Sequence, residues 1–149
     1  MTVADIIDQQ DQLKANTWDI ILWPQAWAAF PGCHEFTWSI CRLGHAERST
    51  IPEESGIYTL LVQPGIAGHV ASSHLMYVGQ TVSLRDRFGK YLTSERRATG
   101  RPKIFRLLNK YSEYIWFCYT VLERDLLDAA EDKLMRAYYP PCNDQYSVE

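Results

Sequence analysis

Six side chains in this sequence have the types and spacing to do chemistry together. Tyr58 and Tyr77 stand in two apolar runs, GIYTLLVQ (56–63) and HLMYVGQ (74–80). Arg87 and Tyr91 are four apart, so on a helix they project from one face, shared with the apolar Phe88 and Leu92. An arginine there either snorkels to solvent or aims its planar fork at a phosphate. Glu131 lies four residues after Leu127 and three before Leu134, at or beside an apolar helical stripe. A carboxylate in that position is exposed at a rim, paired with a base, or bound to a cation, because an unpaired buried charge is costly. Asn143 follows Pro140-Pro141-Cys142 and is by itself an ordinary turn residue. Each of these residues also has a plain structural use, since tyrosine is common in strands and rim glutamates are common on helices.

The elements that must position these groups follow from periodicity. Residues 3–15 read as a short amphipathic helix, with Val3, Ile6, Ile7 and Leu13 loosely at helical spacing. Residues 18–30 are aromatic and broken by Pro24, and read as an irregular segment packed on the core. Residues 36–43 read as a strand. Residues 56–63 and 74–80 form two strands of a hairpin, and their tyrosines meet if both face one side of the sheet. A helix is expected over 83–93 and another from Pro102 to about Lys110. The run EYIWFCYTV (113–121) suits a central strand covered on both faces. The best helix covers 123–138, with Leu127, Ala130, Leu134 and Tyr138 on one stripe, and Pro140-Pro141 stops it. The expected fold is α+β: a small three-stranded antiparallel-type sheet flanked by helices over residues 56–149. Residues 1–55 are expected to be a helical and strand extension packed on that core.

Charge is unevenly divided. The net charge of −3 hides a leading segment, residues 1–55, with three basic and eight acidic side chains. Residues 84–110 carry nine basic residues against Asp86 and Glu95, a local +7. That field suits a polyanion such as a phosphate backbone, or is simply the solvated surface of two helices. At 149 residues with 46% apolar content the chain can fill a real core. Without an 18-residue apolar run, no membrane span is expected. The polar, acidic start does not read as a secretory signal, so Cys33, Cys41, Cys118 and Cys142 are expected to be reduced thiols in a cytoplasmic protein. Cys33, His34, Cys41 and His45 match no common zinc spacing.

Taken in order, the residues are specific. Gly56-Ile57-Tyr58, Tyr77-Val78-Gly79, Leu84-x-x-Arg87 with Tyr91, Glu131-x-x-Leu134-Met135 and Pro140-Pro141-x-Asn143 together resemble the GIY-YIG nuclease superfamily. The resemblance covers residues 56–143. It implies a DNA endonuclease that hydrolyses phosphodiester bonds with one divalent metal, Mg²⁺ or Mn²⁺, per active site. On that pattern Glu131 is the metal ligand, Tyr58 the general base, and Arg87 the clamp on the scissile phosphate. Tyr77 and Tyr91 hold water and phosphate, Asn143 is a polar support near the carboxylate, and Gly79 lets the backbone approach substrate. The basic set Arg85, Lys90, Arg96, Arg97, Arg101 and Lys103 is expected to hold DNA beside the site. Gln80 and Thr81 stand where some subfamilies carry a lysine, and Ser83 where asparagine is frequent. The hairpin tip, with His69, is a surface loop or a DNA contact. No attached DNA-binding module is recognisable. The acidic residues 1–55 suit a homodimer, a cover for the sheet edge or a docked partner protein; exposed tryptophans among Trp18, Trp23, Trp27 and Trp38 would favour the partner, and buried ones the expected enlarged core. The competing reading is a weakly catalytic nucleic-acid-binding or partner-docking subunit that keeps the nuclease fold.

Overall fold

The apolar run of residues 113–121 needs neighbours on both sides and cover on both faces, and it has them. In the computed structural model, which describes residues 1–30, 36–65, 72–97 and 100–144, four strands form one antiparallel sheet in the order β1-β4-β2-β3. They are β1 (Ser39–Arg42), β2 (Gly56–Val62), β3 (His74–Thr81) and β4 (Ile115–Val121). The sheet therefore has four strands rather than three. The strand expected over residues 36–43 is β1, Ser39–Arg42, and it is the fourth member of this sheet. It pairs with β4, Ile40 opposite Cys118, because a strand as apolar as β4 leaves no edge to solvent.

Among the described residues five α-helices accompany the sheet: α1 (Val3–Ala15), α2 (Pro24–Ala28), α3 (Leu84–Leu92), α4 (Pro102–Lys110) and α5 (Leu127–Tyr138). Pro24 opens α2 instead of only breaking a segment, consistent with proline's fitness for a first helical turn. One face of the sheet, with Tyr58, Leu60, Ile115 and Phe117, packs on Leu84, Phe88, Tyr91, Ile104, Leu107 and Leu108 of α3 and α4. The other, with Ile57 and Val78, packs on Leu127, Ala130 and Leu134 of α5. The strand period of two sends alternate residues of β2 into these two layers. The buried stripe of α5 ends at Ala137, and Tyr138 is exposed, because 3.6 residues per turn favours a spacing of three after Leu134 here.

The leading residues divide. Leu43 and Ile51 belong to the main core, and Trp18 packs against it. Phe30, Phe36 and Trp38 pack on the α5 side. Trp23 and Trp27 remain exposed. Helix α1 buries none of its residues. It is held at its C-terminus, where Arg106 and Lys110 donate to the Ala15 carbonyl and Arg106 lies 4.1 Å over the Trp18 ring. Cationic side chains there match the negative end of the helix dipole.

The chain leaves α5 through Tyr139, whose φ of 44° is left-handed and turns it back toward the sheet. It then runs along the open side of β3. The Cys142 amide donates to the Met76 carbonyl at 2.9 Å. The Asn143 side chain accepts from the Val78 amide at 3.0 Å and donates to the Val78 carbonyl at 2.9 Å. One side chain thus stands in for a missing neighbouring strand. Cys41, Cys118 and Cys142 are free thiols; Cys33 and His34 of the zinc pattern, and His69, lie outside the described residues. Among the described residues no helix is long and apolar enough to cross a membrane.

Candidate active site

Register brings the two strand tyrosines together. Tyr58 lies opposite Gly79 and Leu60 opposite Tyr77, so Tyr58 and Tyr77 are diagonal neighbours on one face, with ring centroids 6.0 Å apart. Gly79 is glycine for a steric reason. A Cβ there would collide with the Tyr58 hydroxyl and lie within 2.8 Å of the Tyr77 ring. Tyr58 stacks on Phe117 at 5.2 Å. Its hydroxyl is 2.7 Å from that of Tyr91, one turn beyond Arg87 on α3.

Both hydroxyls are deeply buried. Burial, then the neighbouring Tyr91 and Tyr77, push the Tyr58 phenol well above the ordinary tyrosine value, and Arg87 pulls the other way. Tyr91 is raised too, chiefly by burial, with Arg101 and Arg87 opposing. At neutral pH both are therefore neutral hydroxyls.

Two arginines border this cluster. Arg101 lies 5.1 Å over the Tyr77 ring. Arg87 opens on a cleft shared with Gln80, Ser83, Asp86 and Lys90. A carboxylate stands between the two. Glu95 is 3.8 Å from Arg87 and 3.4 Å from Arg101, and its side chain is 15% exposed.

Glu131 approaches from the opposite layer, on α5. It lines a cleft of ≈ 330 Å³ with Tyr77, Arg101, Met135, Cys142, Asn143 and Asp144, at the open edge of β3. Tyr77 is the hinge between the two halves, touching Tyr58 on one side and this cleft on the other. Burial raises the Glu131 carboxyl above its ordinary value; Asp128 and Asp132 add to this, and the Gln80 backbone amide works against it. Glu131 makes no ion pair among the described residues, which also contain no group of three or more His, Cys, Asp or Glu disposed to hold a metal ion. A lone, half-buried carboxylate suits a hard ion that keeps most of its water shell.

The remaining expected residues fall into three groups. Lys90 and Arg97 are exposed. Lys103 pairs with Asp144 at 3.1 Å beside the Glu131 cleft. Arg85 and Arg96 are engaged internally: Arg85 donates to the Ile51 and Ser49 carbonyls and pairs with Glu53, and Arg96 donates to the Tyr91 and Leu108 carbonyls. Gln80, at the place of a lysine in some subfamilies, donates to Asp128 at 2.7 Å and so ties β3 to α5. Glu95, in sequence only one of two acidic residues in the basic stretch 84–110, is the functional candidate that the structure adds. No helical spacing marks it, because α3 ends at Leu92 and Glu95 lies on the 3-10 turn beyond it.

With that geometry in view, the chain is similar in outline to solved GIY-YIG nuclease domains. The GIY-YIG N-terminal endonuclease domain of UvrC from Thermotoga maritima bound to magnesium shares 21% identity at a TM-score of 0.45, covering 66% of this chain and 92% of that one. Two point mutants of the same domain, bound to its catalytic divalent cation, give 21% identity at 0.47, covering 67% and 93%, and 20% at 0.45, covering 66% and 92%. No family model matches the sequence, and no curated protein matches it.

Proposed function

We propose that this chain is a metal-dependent DNA endonuclease of GIY-YIG type, hydrolysing phosphodiester bonds. The observation that carries the reading is the ordered set of Tyr58, Tyr77, Arg87, Tyr91 and Glu131, with the Tyr58 and Tyr91 hydroxyls in contact at 2.7 Å and Glu131 meeting Tyr77 across one cleft. Glu131 would hold one Mg²⁺ or Mn²⁺. Its placement fits that role: it stands half-buried in the cleft with Tyr77, Asn143 and Asp144 and makes no ion pair among the described residues. When bound, such an ion supplies Lewis-acid stabilisation of charge on a phosphate oxygen.

The chain's own residues supply the rest. Arg87 offers a guanidinium to the scissile phosphate, where charge builds up in the transition state. Tyr58 is the base for the attacking water in its phenolate form: its own proton must first leave to solvent, Arg87 is the nearby charge that favours the phenolate against the effect of burial, and the Tyr91 hydroxyl, 2.7 Å away, can donate to it. Tyr77 holds the nucleophile in place from the cleft side. Asn143 fixes the β3 edge beside Glu131. Lys90, Arg97 and Lys103 provide a positive surface for the DNA backbone. The part of residues 1–55 that stays outside the core, with Trp23 and Trp27 exposed, offers a surface for a homodimer or partner protein.

One observation favours a second reading, a DNA-binding or docking subunit with weak turnover: Tyr58 is 1% exposed, out of reach of bulk water. A plasmid-nicking assay with Mg²⁺ or Mn²⁺ separates the two. The nuclease reading expects nicking by wild type and none by Glu131→Ala or with a chelator. Silence of the wild type on supercoiled, branched and single-stranded DNA, with DNA binding retained, selects the second reading.

A further inference from the structure

We infer that Glu95 is a positioning residue that brings a second arginine, Arg101, to the phosphate beside Arg87, so that the substrate is gripped by two guanidinium groups. The inference rests on the phosphate-binding reading of the site. Three observations support it.

First, Glu95 is where two like charges meet. A pair of arginines side by side repel, and the shared carboxylate at 3.8 and 3.4 Å offsets that repulsion. Second, the carboxylate is itself held. It sits on a short 3-10 turn, Ser94–Arg96, behind α3. Arg96 donates from its guanidinium to the Tyr91 carbonyl at 3.0 Å, and Asn109 donates to the Arg96 carbonyl at 3.1 Å. The turn is thereby locked to α3 on one side and α4 on the other. Third, the network is incomplete. Glu95 Oε2 and Arg87 Nε are both buried without a hydrogen-bond partner, and the Arg87 contact is too long for a hydrogen bond. Arg101, meanwhile, reaches over Tyr77 into the cleft of Glu131. The buried Arg87 Nε is out of a phosphate's reach, but both side chains remain part-exposed, so a phosphate oxygen would bind at the outer guanidinium nitrogens of Arg87 and Arg101 while Glu95 keeps both forks in place from behind.

The test uses wild type, Arg101→Ala, Glu95→Gln, Glu95→Asp and the double variant Arg101→Ala/Glu95→Gln. Two readouts are taken: metal-dependent nicking rate, and affinity for a short labelled duplex without metal. Arg101→Ala and Glu95→Gln are each expected to lower both by roughly ten-fold, the order expected for one charge-assisted contact. The double variant is expected to lose less than the product of the two, because Glu95 acts through the arginines. Glu95→Asp, which keeps the charge, is expected to recover part of the loss. Wild-type affinity in Glu95→Gln, tighter binding by it, or multiplying losses would overturn the inference; tighter binding would mean that the carboxylate competes with DNA. The duplex-binding arm stands when no nicking is seen, so loss of the nuclease reading leaves the inference open to support or refutation. If wild type binds no duplex, both fall.

Discussion

Tyr58 and Tyr91 share one short hydrogen bond in a dry place, and only one of the two can donate at a time. Tyr58→Phe removes the proposed base and leaves the Tyr91 hydroxyl buried without its partner. The expected result is a loss of about 10²–10⁴ in nicking rate, the usual share of a general base. Stability should fall by only about 1 kcal/mol, so melting and nicking measured together separate chemistry from folding. Glu131 carries a linkage consequence. Its carboxyl is raised in the folded chain, so between the unfolded and folded values the native state binds more protons. Stability is therefore highest below the unfolded value and falls as pH rises through the folded one. Glu131→Gln should melt at a higher temperature than wild type at pH 7, and the advantage should vanish on acidification below about pH 4. The same variant should not cut. Higher stability with lost activity is the signature of a charge kept for function, and equal melting curves at pH 7 would argue against it.

The strands show what the sequence could and could not reveal. Tyr58, Tyr77 and Gly79 were legible because a period of two fixes which side chains share a face, and the register then sets them side by side. Gly79→Ala should cost roughly 1–3 kcal/mol, since the added methyl must displace the Tyr58 or Tyr77 ring. A melting curve reads that loss, and nicking should fall with it. Asn143 was legible as a member of the set, but its contact was not. No local pattern announces that a side chain will pair with the Val78 amide and carbonyl 65 positions away. Asn143→Ala leaves both groups unpaired at a buried edge and should cost about 2 kcal/mol, with faster amide exchange at Val78. Glu95 was missed because its meaning depends on Arg101, six residues on and beyond the end of α3. The fourth strand was seen as a strand and misplaced because pairing partners are tertiary facts.

Across the whole molecule the charges separate by segment of the chain. Basic side chains cluster on α3, α4 and the turn between them, while the acidic leading segment carries the exposed α1. Not all of that basic charge is available, since the Arg85 and Arg96 guanidiniums are spent on backbone carbonyls. A count of charges along the sequence could not distinguish these from the exposed Lys90 and Arg97. DNA affinity should fall linearly with salt on a logarithmic scale. Replacing Lys90 or Arg97 by alanine should lower that slope by about 1 each, whatever the DNA sequence. An unchanged slope in both would place the DNA elsewhere.

The open side of β3 has a further consequence. An unpaired strand edge is where another molecule's strand can add itself. Here the Met76 carbonyl is taken by Cys142 and the Val78 amide and carbonyl by Asn143, and the same two residues wall the Glu131 cleft. Strand addition at that edge must first displace the wall of the site. Self-association through β3 and a formed Glu131 cleft are thus mutually exclusive states of one chain, and conditions that promote the first should abolish the proposed nicking before the protein unfolds.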